Sequence, residues 1–409
     1  AARVLGRWGV GVTVVDAADA PAVLPVADLV VDAAYGTGFR GTFTAPAPHP
    51  SAPGLPRTPV LAVDIPSGVD GLTGAVAPGT RCLPATATVT FAAVKPGLLV
   101  HPGRGLAGRI EVADIGLDVQ GAQAWWLTDA GAGRHLPERP AVTHKWDAAV
   151  WVVAGSPGMD GAAALVCAGA QRAGAGYVRL SVPGGTPGSF PHVPPEVVGT
   201  PLGATGWASA VVGDVQRFAA LVVGNGLGRT DTLAGELEEL LGARAATGAD
   251  RPPVPLVVDA DALTALGALL ANGVRLDDQV VLTPHDGEYA SLTGGPPGPG
   301  RLDAARRLAA SSGAVVLLKG PTTVVAHPSG AAAVSTAGDA RLATAGTGDV
   351  LAGMVGAVCA QGLDAAGAAA LATHWHGVAA DLGWQRGLVA GDLPALLPPA
   401  AQRLAAAGT

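Results

Sequence analysis

Only three cysteines, Cys82, Cys167 and Cys359, occur in the 409 residues of the chain. They are too few and too scattered for a disulfide framework or a cysteine-based zinc site, so the expected state is the reduced thiols of a cytoplasmic protein. Basic charge is not in excess either: 25 Lys and Arg stand against 32 Asp and Glu, for a formal net charge of −7. A general nucleic-acid binder carries a basic surface, so nucleic acid is not expected as a partner. No uninterrupted apolar run reaches the ~18–20 residues of a membrane span, and the Ala/Gly-rich region after Leu351 is broken by Gln361 and Asp364. No membrane partner is therefore expected. No repeat of 20–50 residues recurs, which removes solenoids and propellers. There is no signal-peptide pattern and no initiator methionine; the opening AARVLGRWGVGVTVV reads as a helix running into a strand, so the chain is expected to begin inside a domain.

What is present is apolar and finely punctuated. Hydrophobic residues make up 49% of the chain, and 60 glycines and 34 prolines separate regular apolar runs. That composition supplies a sizeable core, and the length suits two domains. In the first part the runs Val12–Val15, Leu29–Asp32, Val60–Asp64, Thr86–Phe91 and Arg109–Val112 read as strands. The first three lack polar alternation, as in parallel strands covered on both faces. The pattern dissolves between Gly116 and Lys145. We place the first domain at residues 1–120 and the second at 127–405, with a boundary near 117–126 and a tether running on to about 145. Trp125 and Trp126 of that tether are expected at the seam between the domains.

The second part alternates more regularly. Strands are expected at Ala149–Val153, Tyr177–Val182, Leu221–Val223, Leu256–Asp259, Val280–Leu282 and Val315–Leu318, with a hairpin Thr323–Ala326 and Ala331–Ser335 turning at HPSG. Helices are expected at Ala162–Ala173, Asp349–Ala360 and Ala365–Leu382. Such alternation implies an α/β fold with a mostly parallel sheet. Most of these strands end in a small or polar group: Gly155-Ser156, Gly224-Asn225, Asp259-Ala260-Asp261, Thr283-Pro284-His285 and Lys319-Gly320. Open α/β sheets bind ligands beyond the carboxyl ends of their strands, so these five ends mark one edge and a candidate site.

The stretch 343-ATAGTGDVLAGM-354 adds chemistry to that edge. Gly346 and Gly348 let the backbone approach an anion, and the free N–H groups of the helix start point at it. Asp349 then lies within reach of a hydroxyl beside the bound phosphate, where it can accept a proton while the N–H groups stabilise developing charge. A simple helix-capping role for Asp349 is the competing explanation.

The second part resembles the ribokinase-like superfamily and, more narrowly, the ADP-dependent NAD(P)H-hydrate dehydratases. HKWDAAVWVVAGSPGMDGAA, RAGAGYV, VVGNGLGR, VVDADAL, LTPHDGEYA, LLKGPTTVV, ATAGTGDVLAG and HGVAADLG carry the likeness, in family order over about residues 144–394. It departs from the family pattern at Ala345, Asp286 and Met159-Asp160. The resemblance implies a repair reaction: the hydroxyl of a hydrated NADH or NADPH is phosphorylated from ADP, with Mg²⁺, and elimination restores the cofactor, releasing AMP and phosphate. It implies Asp349 as base, the N–H groups of Gly346, Thr347, Gly348 and Asp349 as anion hole, and Ala162, Gly228, His285 and Asp349 as contacts to the hydrated cofactor. Lys319, Gly320, Pro321, Thr322, Thr323 and Gly348 would contact the nucleotide. A homo-oligomer is also implied.

The first part resembles the NAD(P)H-hydrate epimerase domain, a Rossmann-like three-layer fold, through VDAAYGTGFRG, VLAVDIPSGVDGLTG, TVTFAAVKPGLL and GRIEVADIGL. That likeness implies Asp32 and Ser67 as potassium ligands, and Gly36, Thr37, Gly38, Arg40 and Asp64 (with the rest of Gly36–Gly41) as substrate contacts. The family's Asn/Gly/Asp-rich loop would lie upstream of residue 1, with its strand. Epimerase ancestry is therefore expected with more force than epimerase activity. A kinase of the same superfamily, phosphorylating a vitamin precursor from ATP, stays open as the rival reading.

Other polar residues receive weaker assignments. His374 and His376 are two positions apart on an expected helix and do not share a face, which disfavours a metal pair. Asp259 and Asp261 are expected in supporting roles, and Lys95 is either a ligand contact or a solvated loop residue.

Overall fold

The computed structural model describes residues 27–45, 58–186, 192–245 and 253–409, together with Gly11, Val15 and Phe190. Of the strand expected at Val12–Val15, only Val15 lies among the described residues. The chain divides into two compact units, Ala1–Gly121 and Ala122–Thr409.

In the first unit β1 (Val30–Asp32), β2 (Val60–Val63), β3 (Ala87–Phe91) and β4 (Arg109–Ala113) form a parallel sheet in the order β1-β2-β3-β4. Ile65, Leu98 and Ala107 make a small core with Val94 and Ile110 packed against it. Two acids sit at carboxyl ends of this sheet: Asp32 closes β1, and Asp64 follows β2 with φ 70°. That left-handed backbone is uncommon for a side chain larger than glycine and turns the chain sharply out of the strand.

The second unit is built on a ten-stranded sheet. Its strands are β5 (Ala124–Trp126), β6 (Ala149–Val153), β7 (Tyr177–Pro183), β8 (Val198–Leu202), β9 (Ala220–Val223), β10 (Leu256–Val258), β11 (Val280–Leu282), β12 (Val315–Leu318), β13 (Thr323–Ala326) and β14 (Ala332–Ser335). They lie in the order β5-β14-β13-β12-β11-β10-β9-β6-β7-β8. From β12 to β8 every neighbour is parallel, whereas β13 runs antiparallel to both β12 and β14. The central parallel strands β9 to β12 are short runs of Val, Leu and Ala, and with β6 they are buried along their whole length. β-branched side chains fit such a two-sided interior. All five carboxyl ends named from the sequence therefore open on the same edge.

Two helices fix what meets that edge. The helices Asp160–Arg172 and Thr347–Ala360 pack on each other through glycines: a side chain at Gly169 would overlap the Val350 carbonyl, and one at Gly353 the Val166 carbonyl. Bare backbone on both helices brings their axes close. The helix Ala365–Asp381 covers the next face, with nearly every residue buried. No helix among the described residues is long and apolar enough to cross a membrane.

The segment expected to be a tether is structured as part of the second unit. Ala124–Trp126 becomes β5, an edge strand pairing with β14, and Asp129–Gly133 forms a short helix capped by Thr128. Trp125 and Trp126 are thus strand residues, the Trp126 indole N–H donating to Thr336 Oγ1 at 3.0 Å. A three-residue strand of this kind leaves too little pattern to read. The helix Leu393–Gly408 is similarly hidden, because Pro394, Pro398 and Pro399 argue against one.

The crossing at Gly353 makes a direct prediction. Gly353→Ala should lower the unfolding free energy in urea by about 1–3 kcal/mol, because the backbone cannot yield to a methyl. Gly235, on the helix Leu233–Ala245 with nothing near its missing side chain, is the control. Gly235→Ala should leave stability unchanged or raise it.

Candidate active site

A single acid, Asp259, organises the strand ends. Its residue is 2% exposed, and three donors reach its carboxylate: Thr283 Oγ1 at 2.7 Å and Lys319 Nζ at 3.0 Å on Oδ1, and Asn225 Nδ2 at 2.9 Å on Oδ2. A buried charge is tolerable only when paired and hydrogen-bonded in this way. The three partners come from the ends of β11, β12 and β9, so the acid at the end of β10 ties four strands together. The neighbouring residue Ala260 has φ 51°, which reverses the chain at once into the helix Asp261–Ala271. Asp259 thereby faces inward, while Asp261 Oδ2 accepts the Gly228 N–H at 2.9 Å and holds the loop after β9.

Above this network stands the start of the helix Thr347–Ala360. Gly346 precedes it with φ 92°, and a side chain there would strike Leu165 and Ala390, so the turn requires glycine on both grounds. Thr347 is buried; its hydroxyl donates to the carbonyls of Leu342 and Thr344, and its N–H turns back to the Thr344 carbonyl at 3.4 Å. The Gly348 and Asp349 N–H groups follow in the first turn, where a helix has no carbonyl of its own to offer them. Lys319 Nζ comes within 3.4 Å of the position a Gly348 side chain would begin. The turn, the lysine and the acid thus occupy one place.

Asp349 is linked to Asp259 through one side chain, its Oδ1 accepting from Asn225 Nδ2 at 2.7 Å. Burial pushes its carboxyl up to about 6; the Asn225 bond and Lys319 pull downward, and Asp259 and Glu288 push upward. Burial opposes the charge of Lys319, yet Asp259 and Glu288 hold its ammonium above the usual lysine range. An acid that is half ionised at about pH 6 and mostly ionised at neutrality, beside a lysine and a helix N-terminus, is equipped to take up a proton next to an anion.

The other residues named from the sequence are dispersed around this centre. Ala162 lies on the helix Asp160–Arg172 against the Gly226 turn, and Gly228 faces Ser156, whose hydroxyl donates to the Gly226 carbonyl at 2.8 Å. His285 caps the helix Asp286–Thr293: Nδ1 accepts the Gly287 N–H at 2.9 Å, and the His285 N–H returns a bond to Glu288 at 2.8 Å. Its Nε2 is left on the more open side, 3.6 Å from Glu288. Gly320, Pro321, Thr322 and Thr323 form the turn from β12 into β13, with Thr322 buried. Arg301 underlies this turn, donating to the Lys319 carbonyl at 2.8 Å and to Asp286 at 2.7 Å. Arg301 has no motif around it, although its pairing accounts for the unusual acid at 286.

His374 and His376 do not act together. His374 bridges Asp129 at 2.9 Å and Ser335 at 3.3 Å, whereas His376 is buried, and burial lowers its pKa to about 4.

In the first unit Asp32 and Ser67 meet directly. Ser67 donates its hydroxyl to Asp32 Oδ1 at 2.6 Å and its N–H to Oδ2 at 2.8 Å, with the Tyr35 carbonyl 3.4 Å from the hydroxyl. A carboxylate, a hydroxyl and a carbonyl oxygen together are a hard donor set that fits an alkali cation. Asp64 is paired with Lys95 Nζ at 2.6 Å, so Lys95 is held against the site and is not a freely solvated loop residue. Burial would raise the Asp64 carboxyl, but Lys95 outweighs it and the pKa is lowered, helped by the Phe91 and Thr37 N–H groups. Gly36 packs on the same carboxylate, Gly38 is open, and Arg40 reaches Asp70 at 3.6 Å.

Comparison with known proteins finds relatives for both parts of the chain. Residues 150–403 match the NAD(P)H-hydrate dehydratase family, and residues 8–97 match the YjeF-related protein N-terminus family. The bifunctional NAD(P)H-hydrate repair enzyme of Moorella thermoacetica is 39% identical over 91% of this chain and 72% of its own length. That of Escherichia coli K12 is 33% identical over 90% of this chain and 70% of its own. Among solved structures, the ADP/ATP-dependent NAD(P)H-hydrate dehydratase of Bacillus subtilis, co-crystallised with ATP and Mg²⁺, aligns with TM-score 0.58 and 29% identity, covering 68% of this chain and 98% of that one. A ribokinase-like superfamily protein from Enterococcus faecalis aligns with TM-score 0.60 at 23% identity, over 71% of this chain and 98% of that one, which concerns the fold alone.

The raised carboxyl of Asp349 has a thermodynamic signature. The folded state binds its proton more tightly than the unfolded chain, so the stability it contributes is full below the ordinary aspartate value near 3.8 and is lost as pH rises through about 6. Urea unfolding of the wild type and Asp349→Asn should therefore show the variant gaining relative stability between pH 4 and pH 8. A difference independent of pH would contradict the assignment.

Proposed function

The chain belongs to the bifunctional NAD(P)H-hydrate repair enzymes, and from that membership we propose how its second unit carries out the dehydration of (S)-NAD(P)H hydrate with ADP. The observation that carries the reading is the placement of Asp349: a half-buried carboxyl, raised to about 6, in the first turn of a helix whose N-terminus faces the strand-end network. The ring hydroxyl of the hydrate loses its proton to Asp349 and its oxygen attacks the β-phosphorus of ADP. The bond to AMP breaks as the new P–O bond forms. The N–H groups of Gly346–Asp349 and the Lys319 ammonium stabilise charge on the transferring group. Cleavage of the ring C–O bond to release phosphate, with loss of a proton from the adjacent ring carbon, then forms the double bond of the reduced nicotinamide.

Lys319 is suited to this because it is charged before any nucleotide arrives. Asp259 and Glu288 hold it ionised, and it can offer phosphate a point charge without shedding a shell of water. Gly320–Thr323 continue from it as the nucleotide contacts, and Ala162, Gly228 and His285 meet the hydrated cofactor. Magnesium brought in with the phosphates of ADP would spread their charge. In the first unit the same reading gives epimerisation of the (R) and (S) hydrates. Asp64, ionised by Lys95, and the Gly36–Gly41 loop contact substrate. Asp32 and Ser67 would hold potassium, whose positive charge suits an anionic dinucleotide.

The test uses NADH hydrate as a mixture of epimers, with recovery of absorbance at 340 nm as the signal. Recovery should require ADP and Mg²⁺ and release one phosphate per NADH. Asp349→Asn should lower kcat by about 10²–10⁴-fold, the usual weight of a general base. An undiminished rate in that variant would remove Asp349 from the role. Transfer from ATP to a small alcohol, with a stable phosphate ester as product, would favour the kinase instead.

A further inference from the structure

The amide of Asn225 joins the two acids of the site and has so far only been described. It is completely buried, and each of its two amide hydrogens goes to a different carboxylate: Asp259 Oδ2 at 2.9 Å and Asp349 Oδ1 at 2.7 Å. Its orientation is chemically required, since ionised carboxylates only accept and a reversed amide would set its oxygen against both of them. The cost of that orientation is visible: Asn225 Oδ1 is buried with no partner among the described residues.

The amide is also anchored independently of anything bound. The Asn225 carbonyl accepts the Gly155 N–H at 2.8 Å, tying the end of β9 to the end of β6. Gly224 and Gly226 flank it at φ 128° and 66°, the first packed on the Asp259 carbonyl and the second on Met159 and Ala162. Asp259 is in turn fixed by Thr283 and Lys319. One oxygen of Asp349 is thereby held by the protein. The other, Oδ2, faces the Gly346 turn, 3.8 Å from where a side chain would begin there.

Resting on the reading of Asp349 as base, we propose that Asn225 is the positioning residue of the transfer step: it clamps Asp349 by Oδ1 so that Oδ2 is the oxygen presented to the substrate hydroxyl. The proton of that hydroxyl passes to Oδ2 while Oδ1 keeps its bond to the amide. Several charged or titratable groups surround the carboxyl. Asp259 and Glu288 oppose its ionisation and Lys319 favours it, and His376, hydrogen-bonded to the Thr347 backbone behind the turn, is uncharged at neutral pH. Among them Asn225 supplies a neutral donor, which orients the base without adding charge.

The test compares wild type with Asn225→Asp, which keeps size and shape, and Asn225→Ala. Two readouts are taken: titration of the Asp349 carboxyl by ¹³C NMR without substrate, identified against Asp349→Asn, and kcat and KM for ADP across pH. Melting temperatures confirm that each variant is folded. In Asn225→Asp a third acid replaces the donor, so the Asp349 titration and the acid limb of kcat should both move up by about one pH unit or more, about tenfold in proton affinity. Asn225→Ala should move both in the same direction, and KM for ADP should stay within about threefold in either variant, since the amide is asked to act on proton transfer and not on uniform binding. An Asp349 titration and an acid limb both unmoved in a folded Asn225→Asp protein would overturn the proposal. If the NMR titration moves while wild type shows no ADP-dependent recovery of NADH, the clamp stands and the repair reaction is what fails.

Discussion

The second unit depends on the burial of one ionised carboxylate at the centre of its sheet edge. Asp259 cannot remain charged at 2% exposure unless every neighbouring strand end contributes a donor, and three of them do. That demand explains why the ends of β9, β11 and β12 carry Asn225, Thr283 and Lys319 and not further apolar residues. It also sets the properties of the site. Asp259 and Glu288 hold the Lys319 ammonium above the usual lysine range against its burial, and Asp349 is a weaker acid than usual chiefly through desolvation, with Asp259 adding to it.

The helix bearing Asp349 is placed by a second constraint, close packing of bare backbone. Gly169 and Gly353 let the helices Asp160–Arg172 and Thr347–Ala360 approach until carbonyls fill the space side chains would take, and Gly346 lets the first turn begin against Leu165. The N-terminal end of the helix is therefore held by the core as well as by the bonds of Thr347 to the loop before it. Sites positioned in this way by rigid elements keep their geometry with or without ligand.

Much of this was legible in the residues alone. Parallel strands of Val and Leu announced themselves, and the polar groups after them marked one common edge of the sheet, because a fully apolar strand that ends in Asp, Asn or Lys has few bland explanations. GTGD likewise announced the helix start. Pairing between distant residues was not legible. Nothing local ties Asn225 to Asp349, 124 positions away, or Lys95 to Asp64. Arg301 sits in an ordinary amphipathic helix, and only the fold brings it under the turn after β12. Short edge elements such as β5 and β8 escaped because β5 has only three residues and β8 has Gly, Thr and Pro within its five, so neither carries a period.

If the buried network tunes Asp349, the reaction must register its ionisation. The most direct measurement is the pH dependence of kcat for ADP-driven NADH recovery by the wild-type chain, taken from pH 5 to 9 with ADP and Mg²⁺ saturating. The account predicts a rise with a midpoint near the value of about 6 held by Asp349, then a plateau through neutrality. A rate already flat at pH 5, with Asp349 still required, would mean that the carboxyl is not held up by its burial and that the network around Asp259 does not set the chemistry.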